Sequence, residues 1–278
     1  MLRHISYSFL HLLACPYAAW LRYEAAVKGP TTPWLALGNA LHYALELGHN
    51  TDLESVLNPG YGPWNFDLAV VLFKVEFQRI IDEEQVSIGW PQIKKLEAEG
   101  IEMLGVYNAQ VIDGSIAPEP LALEKEFNLP FMGTEIVGRI DKVEYEDGYI
   151  ITDFKSGQKE PTAWFLRHNL QLTAYAWACK EIYGELPKKV IWHHLRNGKR
   201  LESVRTEADI ADLQKMIENA IKMNEMGMRH RIFHEQVCGQ CDFVGDTCDD
   251  HELEMEMATK IENGERPDPS IVYRSRGW

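Results

Sequence analysis

The segment GRIDKVEYEDGYIITDFKSG, residues 138–157, constrains the fold of this chain more than any other segment. Its β-branched and aromatic residues alternate on both sides of Asp147-Gly148, which is the pattern of an antiparallel hairpin with a tight turn. Asp153 and Lys155 are two residues apart on the second strand, so their side chains lie on one face of the sheet. Whether Asp141 lies on that face depends on the length of the turn.

Two registers of this hairpin are compatible with the sequence. A two-residue turn would place Asp141 and Asp153 on opposite faces, whereas a three-residue turn over 146–148 places them opposite each other on one face. The longer turn also pairs Tyr145 with Tyr149 and puts Gly148 where a positive φ is needed. We therefore predict the three-residue turn.

The predicted register brings two carboxylates together, and such groups repel each other unless a cation lies between them. Carboxylate oxygens suit Mg²⁺ or Mn²⁺, which keep several waters for a substrate phosphate. Lys155 on the same face could orient a metal-bound water or stabilise charge on an attacked phosphate. An exposed hairpin with scattered charges would carry the same residues, so the hairpin alone leaves both interpretations open.

The periodicity of the whole chain predicts an α/β fold. Helices are expected over residues 6–27, 34–48, 66–113, from Pro161 to about Tyr183, and from Thr206 to about Met226. Strands are expected in LALEKEFNL, TEIVGRIDKVEY, YIITDFK and KKVIWHHL (188–195), and a loop over 58–65. This order indicates a mixed sheet, in which an antiparallel meander is followed by a crossover helix and a further strand, with helical additions.

The charge of the chain is unevenly distributed. Its 278 residues carry a formal net charge of −14, which does not favour binding to DNA by charge alone. Residues 155–205 nevertheless hold ten Lys and Arg against four Asp and Glu, whereas residues 50–120 hold four against twelve. We expect the basic segment to guide a phosphate backbone. No apolar run is long enough for a membrane-spanning helix, which needs about 18 residues.

The five cysteines do not suggest a secreted disulfide scaffold, because their number is odd in a long chain. Cys238, Cys241 and Cys248 are close together, and thiolates at such spacing suit iron–sulfur or zinc equally well. With His251 they would form a local Cys₃His zinc site. The sequence at 12–15 resembles a lipoprotein cleavage box, but polar residues interrupt the stretch before it, so we expect a cytoplasmic protein.

Four short motifs occur in a fixed order: G-x3-H at Gly38 and His42, G-x2-D at Gly138 and Asp141, D-x-K at Asp153 and Lys155, and Q-x3-Y at Gln171 and Tyr175. Together they resemble the PD-(D/E)XK nuclease superfamily, in its RecB-like branch. That branch includes the nuclease domain of AddB and the iron–sulfur exonucleases of CRISPR adaptation. The resemblance implies a restriction-endonuclease-like core.

The resemblance also implies roles for individual residues. Metal ligands would be His42, Asp141, Asp153 and the backbone carbonyl of Phe154, while Lys155 would be the catalytic lysine and Gln171 and Tyr175 would contact DNA or support the site. Glu124 and Glu126 both fall where relatives often carry a strand glutamate, and the sequence does not decide between them. A [4Fe–4S] cluster would be held by Cys15, Cys238, Cys241 and Cys248, although the last spacing is six residues instead of the usual five.

The function implied is that of a Mg²⁺- or Mn²⁺-dependent deoxyribonuclease, an exonuclease in recombination, repair, phage DNA processing or CRISPR adaptation. Its partners would be DNA with an end or single-stranded region and a recombination or CRISPR protein, with no membrane. The alternative is a non-catalytic DNA-binding or assembly protein that retains the nuclease fold. We expect one nuclease domain over 1–278, divided into N-terminal helices (1–57), an acidic helical insertion (58–117), the catalytic core (118–200), a helix and cysteine segment (201–250) and a tail (251–278).

Overall fold

The computed structural model describes residues 4–6, 15–49 and 63–232, together with positions 238, 241, 243, 248, 259 and 263. Four features predicted above lie partly or wholly outside these residues: the start of the first helix, most of the loop at 58–65, His251 and most of the tail at 251–278. None of the described helices is long and apolar enough to cross a membrane.

The described residues form helices and strands in an α/β order. The helices are α1 (Pro16–Tyr23), α2 (Pro33–Leu47), α3 (Phe66–Glu83), α4 (Trp90–Ile112), α5 (Ala163–Arg167), α6 (Leu170–Tyr183) and α7 (Glu207–Glu225). The strands are β1 (His4–Ile5), β2 (Ala122–Phe131), β3 (Thr134–Tyr145), β4 (Tyr149–Lys155), β5 (Lys189–His194) and β6 (Lys199–Ser203).

The strands form a mixed sheet in the order β1-β3-β4-β5-β6, with β2 paired to β3. β3 and β4 are antiparallel, β4 and β5 are parallel, and β5 and β6 are antiparallel. The parallel pair requires a crossover connection, which α5 and α6 supply. The predicted α/β fold with a meander, a crossover helix and a further strand is thus confirmed.

The register of the β3–β4 hairpin is the three-residue alternative. Tyr145 pairs with Tyr149, and Val143 pairs with Ile151. The two tyrosine rings meet edge to face with centroids 5.1 Å apart. Gly148 has a φ of +128°, as the longer turn requires, and the Glu146 amide donates to the Gly148 carbonyl. Continuing this register places Asp141 opposite Asp153.

The structure differs from the sequence prediction in four elements. The helical stretch expected over 66–113 is two helices, α3 and α4, which residues 84–89 separate. The helix expected from Pro161 to Tyr183 is two helices, because the Asn169 side chain accepts from the Leu172 amide and so begins a new helix. Strand β6 was not predicted, since it is a short edge strand with little buried surface. Strand β1 was also not predicted; its Ile5 is buried and pairs with Ile136 of β3.

The chain divides into two compact units. The larger unit contains residues 31–127 and 138–213, and the smaller contains 1–30, 128–137 and 214–278. In the larger unit the apolar faces of α2, α3 and α4 enclose a core that includes Leu37, Leu41, Phe73, Phe77 and Leu104. In the smaller unit the core is a cluster around α1, with Tyr17, Trp20, Leu21 and Phe243.

Helix starts within the larger unit follow the capping rules. The side chains of Thr32, Asn65 and Thr162 each accept a hydrogen bond from the amide three residues later. Thr206 and Asp209 form a reciprocal capping box before α7, in which the Thr206 amide donates to the Asp209 carboxylate over 2.8 Å. The predicted start of that helix is confirmed.

We expect Gly148→Ala to lower the free energy of unfolding by about 1–2 kcal/mol, because a side chain is strained at a φ of +128° and its Cβ would lie 3.2 Å from Lys188. Gly157→Ala is the matched control, since a Cβ there meets nothing within 4 Å. Chemical denaturation of both variants checks this. Equal stability of the two would contradict the argument that Gly148 sets the turn.

Candidate active site

His42 projects from α2, a helix whose buried face is formed by small and aliphatic residues such as Ala40, Leu41 and Ala44. Its side chain is 31% exposed, so the ring lies at the edge of the core and faces the sheet. The ring Nδ1 atom is 3.0 Å from Glu124 Oε1 and 3.7 Å from Asp141 Oδ2. The helix thus brings an imidazole to two carboxylates from different strands.

Glu124 of β2 is the glutamate that the sequence left undecided. Its φ is +44°, which is rare for a residue with a side chain, and the alternation of buried and exposed residues breaks at this point of the strand. The Glu124 side chain is consequently 8% exposed, whereas Glu126 is exposed. Arg139 of β3 binds the other Glu124 oxygen, with Nε 2.9 Å from Oε2.

Asp141 of β3 is almost fully buried, and its Oδ2 accepts a hydrogen bond of 2.7 Å from the Phe154 amide of β4. This bond crosses the hairpin and fixes the carboxylate against the strand that carries Asp153. Burial raises the pKa of Asp141 to about 7; the positive charge of His42 opposes this shift and the negative charge of Asp153 adds to it.

The same electrostatic environment acts on His42. Burial alone would lower the pKa of His42, but the neighbouring Asp141 and Glu124 carboxylates outweigh it and raise that pKa to about 9. Without a metal the imidazole is therefore a cation at neutral pH. Glu46, one helical turn further along α2, has a raised pKa because of burial and the nearby Glu124 charge.

His42, Glu124 and Asp141 satisfy a geometric test for a metal site. Their ligand atoms all lie within 4.8 Å of one another, and they are the only such group among the described residues. Neighbouring ligands of an octahedral ion at about 2.1 Å lie about 3 Å apart, close to the 3.0 and 3.7 Å that separate the His42 nitrogen from the two carboxylates. A divalent cation thus fits the donor set.

Asp153 and Lys155 lie on the same face of β4, as their spacing predicts. Lys155 Nζ is 2.9 Å from Asp153 Oδ1 and 2.8 Å from Oδ2, and it also donates to Gln171 Oε1 over 3.0 Å. Asp153 is fully buried, so this ammonium group balances its charge. In this arrangement Asp153 pairs with the lysine and stands outside the group formed by His42, Glu124 and Asp141.

Gln171 and Tyr175 of α6 support the lysine. The Gln171 amide donates to the Tyr175 hydroxyl over 2.9 Å, which leaves its oxygen directed at Lys155. Burial raises the pKa of Tyr175 well above its usual value, so the hydroxyl stays neutral. The Phe127 ring packs edge to face on Tyr175, with centroids 6.2 Å apart. The two motif residues are thus brought to the site, in the supporting position.

The glycine of the G-x2-D motif has a packing role. A Cβ on Gly138 would lie 2.4 Å from the Phe127 ring, so the ring can cover the strand only because no side chain is present there. Phe127 in turn braces Tyr175. The motif glycine therefore acts on the site through two aromatic rings.

The side chain of Phe154 packs into the core of the larger unit. Its ring meets Tyr107 at 5.7 Å and His193 at 5.6 Å between centroids. Burial lowers the pKa of His193 to about 3, so this imidazole is neutral and hydrogen-bonds to Gln110. These contacts anchor β4 from the core side. The position of the Phe154 carbonyl as a metal ligand stays a prediction.

Most of the positive charges of residues 155–205 are paired with carboxylates in the folded chain. Carboxylates within 4 Å accompany most of these cations, in the pairs Arg167–Asp209, Lys180–Glu207, Lys189–Glu202, Arg196–Glu99, Lys199–Glu160 and Arg200–Glu144. Arg205 is buried and donates to Thr173 and to the Leu166 carbonyl. Guidance of DNA by this segment stays a prediction, with fewer free charges than its composition suggests.

The predicted cluster cysteines lie in the smaller unit. Cys15 belongs to the hydrophobic cluster of that unit, and Cys241 and Cys248 pack against the same cluster. Cys238 donates from its thiol to the Ile232 carbonyl, and Ile232 also packs there. Sequence-distant cysteines thus share one apolar environment. Cys179 is buried in α6 of the larger unit.

The class of protein follows from the sheet, the D-x-K pair on β4 and the acidic residues opposite it. The chain belongs to the PD-(D/E)XK nuclease superfamily, whose family model matches residues 4–248. A search of curated proteins found no match.

A comparison with solved structures returned two matches that bear reporting. One is a protein described as "Putative exonuclease" from Eubacterium rectale, with 13% identity, a TM-score of 0.53, and coverage of 84% of this chain and 85% of that chain. The other, a protein named SSO0001, has 18% identity, a TM-score of 0.35, and coverage of 63% of this chain and 77% of that chain. The protein from Eubacterium rectale therefore shares the fold of this chain, and at 13% identity the comparison shows the fold alone.

Without metal, we expect Asp141→Asn to raise the melting temperature at pH 8 by several degrees. The pKa of Asp141 rises on folding from 3.8 to about 7, so its carboxylate lowers stability as the pH increases through that range. Asparagine can still accept from the Phe154 amide. About 1 kcal/mol corresponds to roughly 2–4 °C in a chain of this size.

Thermal melts in EDTA at pH 5 and pH 8 test this expectation, with Asp153→Asn as the comparison. That variant leaves Lys155 without its anionic partner, so we expect a smaller gain or a loss. A lower melting temperature for Asp141→Asn at pH 8 would show that its carboxylate stabilises the metal-free fold.

Proposed function

We propose that the chain is a metal-dependent deoxyribonuclease of the RecB-like branch, acting as an exonuclease on DNA ends. The observation that carries the proposal is the juxtaposition of the Asp153–Lys155 pair with the group of His42, Glu124 and Asp141 across one hairpin. Recombination, repair, phage DNA processing and CRISPR adaptation are processes that use this activity.

The proposed cation is Mg²⁺ or Mn²⁺, held by His42, Asp141 and Asp153 and by the Phe154 carbonyl, with Glu124 as a further ligand. Bound there, it would lower the pKa of a water molecule and neutralise charge on the attacked phosphate. An imidazole nitrogen among oxygen ligands favours Mn²⁺ over Mg²⁺. Asp153 would then share its carboxylate between the cation and Lys155.

Lys155 is the proposed catalytic lysine. Its ammonium group is held by two acceptors, the Asp153 carboxylate and the Gln171 oxygen, so its position is fixed before substrate arrives. A prepositioned cation stabilises negative charge that develops on a phosphate oxygen without reorganising. Gln171 and Tyr175 are positioning residues in this scheme, because the structure joins them to Lys155 through hydrogen bonds.

We expect Asp141→Ala and Asp153→Ala to abolish cleavage of end-labelled DNA in Mn²⁺, because each removes a fixed negative charge from the cation. Lys155→Ala should lose at least about a hundredfold in rate and still bind Mn²⁺. Asp82→Ala on α3, an exposed aspartate bonded to Gln78, is the control and should retain full activity. Calorimetry with Mn²⁺ and a cleavage assay measure the two properties separately.

Full activity of Asp153→Ala would end the nuclease proposal for this site. A wild-type protein that binds DNA but cleaves neither single strands nor duplexes in Mg²⁺ or Mn²⁺ would favour a non-catalytic binding or assembly protein. Cleavage of RNA in preference to DNA with the same ends would make it a ribonuclease.

We also propose a [4Fe–4S] cluster held by Cys15, Cys238, Cys241 and Cys248. The support is that Cys15 packs in the same hydrophobic cluster as Cys241 and Cys248, although more than two hundred residues separate them in sequence. Closing so long a loop removes unfolded-state freedom worth several kcal/mol in the chain-entropy model, about 4–5 for a hundred residues or more. The alternative is structural zinc on Cys238, Cys241, Cys248 and His251.

Protein purified without oxygen should be brown and contain about four irons per chain, as the four-cysteine ligand set implies. We expect Cys15→Ala to lose the colour and melt at a lower temperature, and His251→Ala to keep both properties. Cys179→Ser, at a buried cysteine of the larger unit, controls for the loss of a thiol. Loss of bound zinc in His251→Ala together with an unaffected Cys15→Ala would establish the zinc alternative.

A further inference from the structure

Trp192 of β5 is next to the candidate active site on the sheet. It pairs with Asp153 in the parallel β4–β5 register, so its side chain lies on the face that carries Asp153 and Lys155. Lys155 Nζ is 5.3 Å from the centroid of the indole ring, within the range of a cation–π contact. Lys155 therefore contacts an aromatic ring as well as the Asp153 carboxylate.

A row of rings continues outward from Trp192. Phe165 of α5 meets Trp192 edge to face, with centroids 5.9 Å apart. Its neighbour Trp164 stacks on the imidazole of His168, with centroids 4.7 Å apart and an angle of 28° between the rings. Trp192 and Phe165 thus form one ring pair next to Lys155, and Trp164 and His168 form a second pair on the adjoining residues of α5; we call these four residues the aromatic row.

The outer members of the aromatic row are exposed although they are large and apolar. Trp164 is 71% exposed and Phe165 is 43% exposed. Because they are exposed, these two rings add little to the stability of the fold. The next residue, Leu166, is buried and anchors α5. Exposed aromatic rings that adjoin a catalytic centre indicate a ligand with flat apolar faces.

We propose that the aromatic row is a stacking platform for unpaired bases, and that it directs a single-stranded DNA end to Lys155. The proposal rests on the proposed function and names its substrate class. Bases of a single strand offer free faces to aromatic side chains, whereas bases within a duplex are already stacked and paired. Because Trp192 contacts Lys155, a base stacked on the Trp192 end of the row would lie beside the proposed catalytic lysine.

The charges around the platform fit a strand bound mainly through its bases. Arg167 next to the platform is bound to Asp209, with 2.7 Å between nitrogen and oxygen. Lys159 lies in the exposed loop between Lys155 and α5 and has no ion pair within the described part of the chain. A single lysine without an ion pair, close to α5 in sequence, suits a phosphate contact that accompanies stacking, not a wide electrostatic track for a duplex.

The test is a comparison of DNA binding by single-strand and blunt-duplex oligonucleotides, each labelled with fluorescein, followed by anisotropy in EDTA so that no cleavage occurs. Trp164→Ala should weaken binding of the single strand about tenfold, since stacking on one aromatic ring is worth about 1–3 kcal/mol per base. Its effect on the duplex should stay within twofold. Trp164→Phe should restore most of the affinity because it keeps an aromatic face.

Trp90→Ala is the matched control. Trp90 on α4 is 63% exposed and contacts Lys94, so its removal deletes a comparable indole outside the aromatic row. We expect this variant to bind both oligonucleotides like the wild type. A melting curve of each variant establishes that it is folded, and Phe165→Ala tests the next ring of the row in the same assay.

Equal losses on single strand and duplex in Trp164→Ala, or no loss on either, would overturn the proposal. The result is separate from the nuclease proposal, because binding in EDTA needs neither metal nor cleavage. If the wild type cleaves DNA but the Trp164→Ala variant binds single strands normally, the stacking platform is refuted and the nuclease proposal stands. If the Trp164→Ala variant selectively loses single-strand binding but the wild type cleaves no DNA, the nuclease proposal is refuted and the stacking platform stands.

Discussion

The turn at residues 146–148 is the constraint on which the candidate site depends. Side chains alternate across a strand, so a shift of one residue in the β3–β4 register would move Asp141 to the face opposite Asp153. The positive φ of Gly148 sets the length of this turn, and the hydrogen bond from the Phe154 amide to Asp141 holds the register at the other end. Backbone geometry thus determines which carboxylates meet.

Each of the three carboxylates at the centre of the site contacts at least one basic side chain. Glu124 is bound by Arg139 and His42, Asp141 faces His42, and Asp153 faces Lys155. Paired in this way, buried carboxylates can be kept close together without unfolding the hairpin. A divalent cation bound there would neutralise the Glu124 and Asp141 carboxylates in place of the positive charge of His42. The His42 imidazole could then lose its proton and offer its nitrogen as a ligand.

The sequence predicted those parts of the site that follow regular alternation. Asp153 and Lys155 lie on one face because their spacing is two, and Asp141 follows from the turn length. Glu124 could not be distinguished from Glu126, because the positive φ at Glu124 breaks the alternation that such reasoning uses. The row from Trp192 to Trp164 was also missed, since nothing in the local pattern shows that α5 meets β5.

The pairing of the basic residues has a consequence for how an acidic chain can hold nucleic acid. A lysine that is already paired with a carboxylate, such as Lys199 with Glu160, must give up that pair to neutralise a phosphate, so its net contribution to DNA affinity would be small. On the proposed function, most of the affinity for DNA would then come from contacts that do not depend on charge. Stacking on exposed rings is such a contact, and it is available only to bases that have left the duplex. The pairing of the basic residues and the exposure of the aromatic row are therefore consistent with each other, because both fit the proposed preference for unpaired ends over intact duplex.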